Sequence, residues 1–198
     1  MLYSRAEVVQ FFADRFAEHG DTATALEWSV PGQAVRFNIC GQACTIAKSV
    51  LDLGCGLGHF AKCWGPNVRY VGIDQCEPMI AHARQTYPTR EFRVADLLQP
   101  GITLPKADLV VANGVLNLST GTNESDMARL IGLAYGACRV ACAITMLSNL
   151  ASPQSDGRHY YDGFTIARTG IVGVNGTPRR LVLRHDYLPN DLCLYLYR

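Results

Sequence analysis

The sequence predicts an α/β fold, a doubly wound, mostly parallel sheet of seven strands with one antiparallel strand and helices on both faces. Three observations predict it. From residue 49 onward, short apolar runs alternate with amphipathic segments, which implies right-handed crossovers between parallel strands. Four of those runs end at Asp52, Asp74, Asp96 and Asn113, which places four polar side chains at one edge of the sheet. The last two runs are joined by Tyr187-Leu-Pro-Asn, a hairpin-sized connection that makes one strand antiparallel.

The elements follow in order. Ser4-Arg5-Ala6-Glu7 has the spacing of a capping box, so a helix starts there. Val8, Val9, Phe12 and Phe16 fall on its apolar face, and Gly20 suits its end. Pro31-Gly32 reads as a breaker, which puts a second helix at about Gln33 to Ile46. Strands are expected at Ser49–Leu53, Arg69–Ile73, Phe92–Ala95, Asp108–Ala112, Val140–Met146, Arg180–Arg184 and Leu192–Tyr197. Helices are expected over Leu57–Cys63, from Glu77-Pro78 onward, around Met127, Leu130, Ile131 and Ala134, and over Tyr160–Gly170. The chain reads as one domain, 1–198, with a helical cover at 1–47 and an α/β core at 48–198.

Composition narrows the function. With 198 residues, 48% hydrophobic and 18% charged, the chain can bury a core and is not intrinsically disordered. A net charge of +1 without a basic stripe argues against a partner held through nucleic-acid phosphates. No apolar run approaches the ~20 residues of a membrane span. Met1 to Gln10 carries Arg5 and Glu7 and no apolar signal core, so a cytoplasmic protein is expected. The eight cysteines include no CxxC pair, and their spacing offers no zinc site; reduced, buried thiols are the expectation.

The chemistry centres on Asp52-Leu-Gly-Cys-Gly-Leu-Gly58, a glycine loop between a strand and a helix. A dinucleotide loop needs G-x-G-x-x-G, and counting from Gly54 the third glycine falls on His59. Asp52 would also repel a pyrophosphate, whereas a carboxylate there suits a cationic group. A nicotinamide-dependent oxidoreductase is therefore the weaker reading.

Val50-Leu-Asp-Leu-Gly-Cys-Gly-Leu-Gly58 resembles the first motif of class I S-adenosylmethionine-dependent methyltransferases. The resemblance continues through Tyr70-Val-Gly-Ile-Asp74, Phe92-Arg-Val-Ala-Asp96 and Asp108-Leu-Val-Val-Ala-Asn-Gly-Val-Leu116. The flanks Leu26-Glu-Trp28, Gln33 to Phe37 and Leu183-Arg-His-Asp-Tyr187 resemble a group of small bacterial methyltransferases. The resemblance implies a Rossmann-like fold and S-adenosyl-L-methionine as cofactor, with S-adenosyl-L-homocysteine as product. It implies that Gly54, Cys55, Gly56 and Gly58 form the loop beneath the methionine part and ribose, with Asp52 orienting that end directly or through water. Asp74 then accepts from the ribose hydroxyls, and Gln75 and Cys76 flank the adenine. Asp96 takes the adenine amino group, and Leu97 packs on the ring. The Asn113-Gly114 backbone lies beside the methionine moiety. Arg36, in the N-terminal cover, suits pairing with the cofactor carboxylate because its bidentate fork fits that group.

For the acceptor, His185 is the candidate general base, with Asn117 and Tyr187 as further catalytic candidates. His59, and a lid of His159, Tyr160 and Tyr161, are weaker candidates. Tyr3, Trp28 and Gln33 join Arg36 in the cover. Asn113-Gly-Val-Leu is not the Asn-Pro-Pro-Tyr motif of base and amide methylation. The expected reaction is methyl transfer to an O, N or C nucleophile of a small molecule or short peptide, without metal and without nucleic acid. A non-catalytic module that binds the same cofactor is the alternative.

Overall fold

The computed structural model describes residues 1–198. Seven strands, β1 (Ser49–Leu53), β2 (Arg69–Asp74), β3 (Glu91–Val94), β4 (Ala107–Asn113), β5 (Cys138–Leu147), β6 (Arg180–Arg184) and β7 (Asp191–Tyr197), form one sheet in the order β3-β2-β1-β4-β5-β7-β6. All neighbours pair parallel except β7, which is antiparallel to both β5 and β6. The class, strand number and single reversed strand are those read from the sequence.

Alternation along each strand divides the core into two layers. Leu51, Leu53, Val110, Ala112, Ile144 and Leu194 face one side, where α4 (Asn123–Ala137) and α5 (Gly163–Val172) pack. Val50, Leu109, Val111, Ala143 and Tyr195 face the other, against α2 (Val30–Gln42), the 3-10 turn His59–Cys63 and α3 (Glu77–Thr86). Seven of the eight thiols are buried and Cys63 is exposed, so most cysteines act as small apolar residues. No helix is long and apolar enough to cross a membrane.

α1 (Arg5–His19) is capped as its sequence indicates: the Ser4 hydroxyl accepts from the Glu7 N–H, and the Glu7 carboxylate accepts from the Ser4 N–H at 2.7 Å. Three elements differ from the sequence reading. α2 begins at Val30, not Gln33, because Ser29 caps it and Pro31 sits in its first turn, where a missing N–H costs nothing. The segment after the glycine loop forms only a 3-10 turn, His59–Cys63. α5 starts at Gly163 rather than Tyr160, because Asp162 accepts from the Thr165 N–H and fixes the start there.

Candidate functional site

Strand order reverses between β1 and β4, which opens a crevice at the carboxyl ends of the strands. The register brings Leu53 beside Ile73 and Ala112, and Asn113 beside Thr145, so the polar strand ends share this edge. A cavity of about 410 Å³ lies there, within the range of small-molecule sites. Every cofactor candidate named above except Gly58 lines it.

The glycine loop crosses the crevice with Gly54, Gly56 and Gly58 at φ 70°, 51° and 74°. Two of these positions also need glycine for packing. A Cβ on Gly54 would stand 2.5 Å from Val115, and one on Gly58 would stand 2.8 Å from the Phe92 ring. Gly58 therefore seats the loop against β3 and does not itself face the cavity.

Asp74 ends β2 with both carboxylate oxygens engaged, from the Gly56 N–H at 2.9 Å and the Cys76 N–H at 2.8 Å. Burial holds its carboxyl above the usual range, and these N–H groups oppose that shift. Each oxygen keeps a lone pair for a ligand hydroxyl. Asp52 is buried and accepts from the Tyr70 hydroxyl. Burial pushes its pKa up to about 7, with Tyr70 pulling down and the charge on Asp74 pushing up. Neither acid has a cationic partner in the fold, so the donor set suits a cationic ligand group. Asp96 turns one oxygen to the Leu98 N–H at 2.8 Å, and its other oxygen is 3.9 Å from Arg5. Leu97 is buried beside it, and Gln75, Cys55 and Cys76 stand in the same wall.

Asn113 ends β4. Its Oδ1 accepts from the Thr145 hydroxyl at 3.2 Å and the Cys40 thiol at 3.1 Å, while its Nδ2 is buried without a partner. The Gly114 N–H donates to Thr145 Oγ1 at 3.1 Å, which ties the turn after β4 to β5.

The other half of the cavity is built from distant segments. Arg36, on α2, holds the Asp191 carboxylate with Nε and Nη2 at 2.5 and 2.8 Å, and stacks on Trp28. Its fork is thus occupied by the protein's own acid. Arg158 pairs with Glu27, and Arg5 with Asp126 at 3.0 Å. Asn117 is in the wall, with its Oδ1 accepting from the Leu147 N–H at 3.3 Å. His185 and Tyr187 are outside the lining residues. His185 is bound to the Ser148 hydroxyl at 2.7 Å, and the Tyr187 hydroxyl is buried without a partner. Burial depresses the pKa of His59, which is fixed between Gln33 and Asp21. Tyr161 is fully buried with its hydroxyl on the Leu116 carbonyl, so it belongs to the core and not to a lid. His159 is tied to Glu124, and Tyr160 accepts from the Ser155 N–H. Tyr3 fixes the N-terminus through its N–H to the Ser119 carbonyl.

Sequence reasoning missed Tyr70, Thr145, Glu27, Arg158, Arg5 and Asp126. Their partners are remote: Glu27 and Arg158 are 131 residues apart, and Arg5 and Asp126 are 121 apart. Only the i,i+2 alternation of β2, which puts Tyr70 on the face of its neighbour's Asp52, was open to inspection.

Residues 50–139 match a family model described as a methyltransferase domain. A trans-aconitate 2-methyltransferase of Paracidovorax citrulli is 36% identical over 146 residues, 65% of this chain and 54% of that protein. The chain thus spans about half the length of that relative. Among solved structures, the N-methyltransferase NodS of Bradyrhizobium japonicum, with S-adenosyl-L-homocysteine, superposes with a TM-score of 0.68 at 16% identity, covering 96% of this chain and 97% of that one. The magnesium protoporphyrin IX methyltransferase ChlM of Synechocystis, with S-adenosylmethionine, gives 0.66 at 16% identity, covering 100% and 98%. At such identity these two likenesses show the fold alone. Over residues 50–139 the chain is thus similar to methyltransferase domains, and its fold is the one shared by these two S-adenosylmethionine-dependent methyltransferases.

Proposed function

We propose that the chain transfers a methyl group from S-adenosylmethionine to an O, N or C nucleophile of a small acceptor. One observation carries this reading: Asp52 is buried and Asp74 half-buried at the crevice, beside a glycine loop of positive φ, with no cation of the protein to neutralise them. A sulfonium and an ammonium group supply the charge opposite Asp52, and a ribose diol supplies hydrogen-bond donors for Asp74. When bound, the cofactor supplies an electrophilic methyl carbon whose bonding pair leaves with sulfur as the acceptor's lone pair attacks in line.

The chain's own residues do the rest. Asp74 holds the ribose hydroxyls, Gln75 and Cys76 flank the adenine, and Asp96 with Leu97 holds its amino edge. Gly54 and Gly56 let the backbone approach the methionine end, with Asp52 below it and the Asn113-Gly114 backbone beside it. Alignment of the acceptor falls to the half-cavity of Trp28, Asn117, Leu147 and Asn190. That part of the wall offers no free histidine or unpaired carboxylate, so a proton lost by the acceptor passes to solvent. This same feature favours the second reading, a cofactor-binding module without turnover.

The test is calorimetric titration with S-adenosylhomocysteine, followed by incubation with methyl-labelled cofactor and a small-molecule extract. Micromolar binding and label in an extract product are the expected results. Stabilisation by a nicotinamide dinucleotide and not by S-adenosylhomocysteine would sink the proposal. Binding without label transfer would leave the module reading.

A further inference from the structure

The cavity wall carries three arginines, and each is neutralised by an acid from another part of the chain: Arg5 by Asp126, Arg36 by Asp191 and Arg158 by Glu27. With Asp52 and Asp74 also in the wall, a carboxylate entering the cavity meets negative charge and no free cation.

Glu27 is unusual among these residues. It is the one non-glycine with positive φ, at φ 61° and ψ 25°, where it ends the 3-10 turn Ala23–Leu26. Side chains with a Cβ are disfavoured in that left-handed conformation, and glycine ends such turns without strain. What glycine lacks is the carboxylate. That carboxylate reaches Arg158, and both side chains are largely shielded, 24% and 20% exposed. The strained backbone is kept at a position whose side chain sits in the cavity wall and silences a guanidinium.

We propose that Glu27 is a specificity-determining residue: by neutralising Arg158 it bars carboxylate acceptors and reserves the cavity for uncharged or cationic ones. The inference rests on the methyl-transfer reading above. It separates this chain from its trans-aconitate-methylating relative, whose named substrate is a tricarboxylate.

The probe is trans-aconitate, titrated into protein saturated with S-adenosylhomocysteine. Wild type is compared with E27Q, with E27G, and with E27Q combined with R158A. E27G relieves the backbone strain, so it guards against a variant that merely misfolds. Both single variants are expected to bind trans-aconitate about tenfold to a hundredfold more tightly than wild type, the worth of a freed guanidinium to a carboxylate. The double variant loses that gain. Wild type that binds or methylates trans-aconitate as well as E27Q does overturns the proposal. So do single variants that retain S-adenosylhomocysteine affinity and gain nothing. Wild type that binds no S-adenosylhomocysteine overturns the methyl-transfer reading instead.

Discussion

The two halves of the crevice neutralise charge by opposite means. In the half beside the glycine loop, Asp74 is held by backbone N–H groups within 18 residues of it in sequence, and Asp52 by the Tyr70 hydroxyl; neither meets a cation. In the other half, Arg36 and Asp191 are 155 residues apart and form a bidentate pair, both shielded from solvent. The first half is an unmet electrostatic demand, which a cationic ligand satisfies. The second is already satisfied, so under the proposed function it recognises the acceptor by shape and neutral hydrogen bonds.

The largest expected effect tests the satisfied half. Asp191→Ala leaves Arg36 buried and unpaired, and should lower the unfolding free energy by about 3–5 kcal/mol in denaturant melts. A loss below about 1 kcal/mol, the scale of an exposed pair, would mean that Arg36 turns to another partner or to water.

Next comes the unmet half. Asp74→Ala should weaken S-adenosylhomocysteine binding by about a hundredfold in calorimetry, because two charge-assisted hydrogen bonds to a vicinal diol are lost. Unchanged affinity would move the ribose elsewhere.

A pH series sharpens the contrast further. Asp52 is raised to about 7 by burial. A sulfonium or ammonium group favours its ionised form, so affinity for S-adenosylmethionine should fall by up to about tenfold per pH unit below that value and level off above it. For the free protein the sign is reversed. A raised carboxyl binds a proton in the folded state that the unfolded chain has already released, so stability falls as pH rises from the ordinary carboxylate range towards 7. Tyr70→Phe removes the hydrogen bond that pulls Asp52 down, and should shift the binding midpoint upward. A midpoint that stays in place would show that Tyr70 does not set the ionisation of Asp52.

The smallest effect concerns His185. Outside the cavity wall and bound to Ser148, it should lower turnover by less than about threefold when changed to Ala, well short of the hundredfold or more typical of a lost general base. A larger loss, with cofactor affinity kept, would restore it as the base.

Legibility in the sequence followed the range of the interactions. Asp52, Asp74 and Asp96 were readable because each closes or follows a strand, and strands announce themselves by local apolar runs. The capping box at Ser4 was readable because both partners are three residues apart. The start of α2 was misjudged because Pro31 stops a helix in its interior and starts one in its first turn, and only the Ser29 cap separates the cases. The pairs Arg36–Asp191 and Glu27–Arg158 left no local trace, since any acid can meet any arginine once the chain has folded. His185 looked catalytic because it stood at a strand end, but β6 is the last strand of the sheet, beyond β7 and remote from the switch point between β1 and β4.

Helix α1 has a consequence for kinetics. None of its fifteen residues is buried, and its apolar Val8, Val9 and Phe12 line the cavity. A ligand in the cavity would add to the apolar packing of this helix. Its amides should exchange with solvent rapidly in the free protein and slowly in the complex, as a separate cooperative unit. The residence time of a bound nucleoside would then be set by the local opening of one helix rather than by the contacts beneath it.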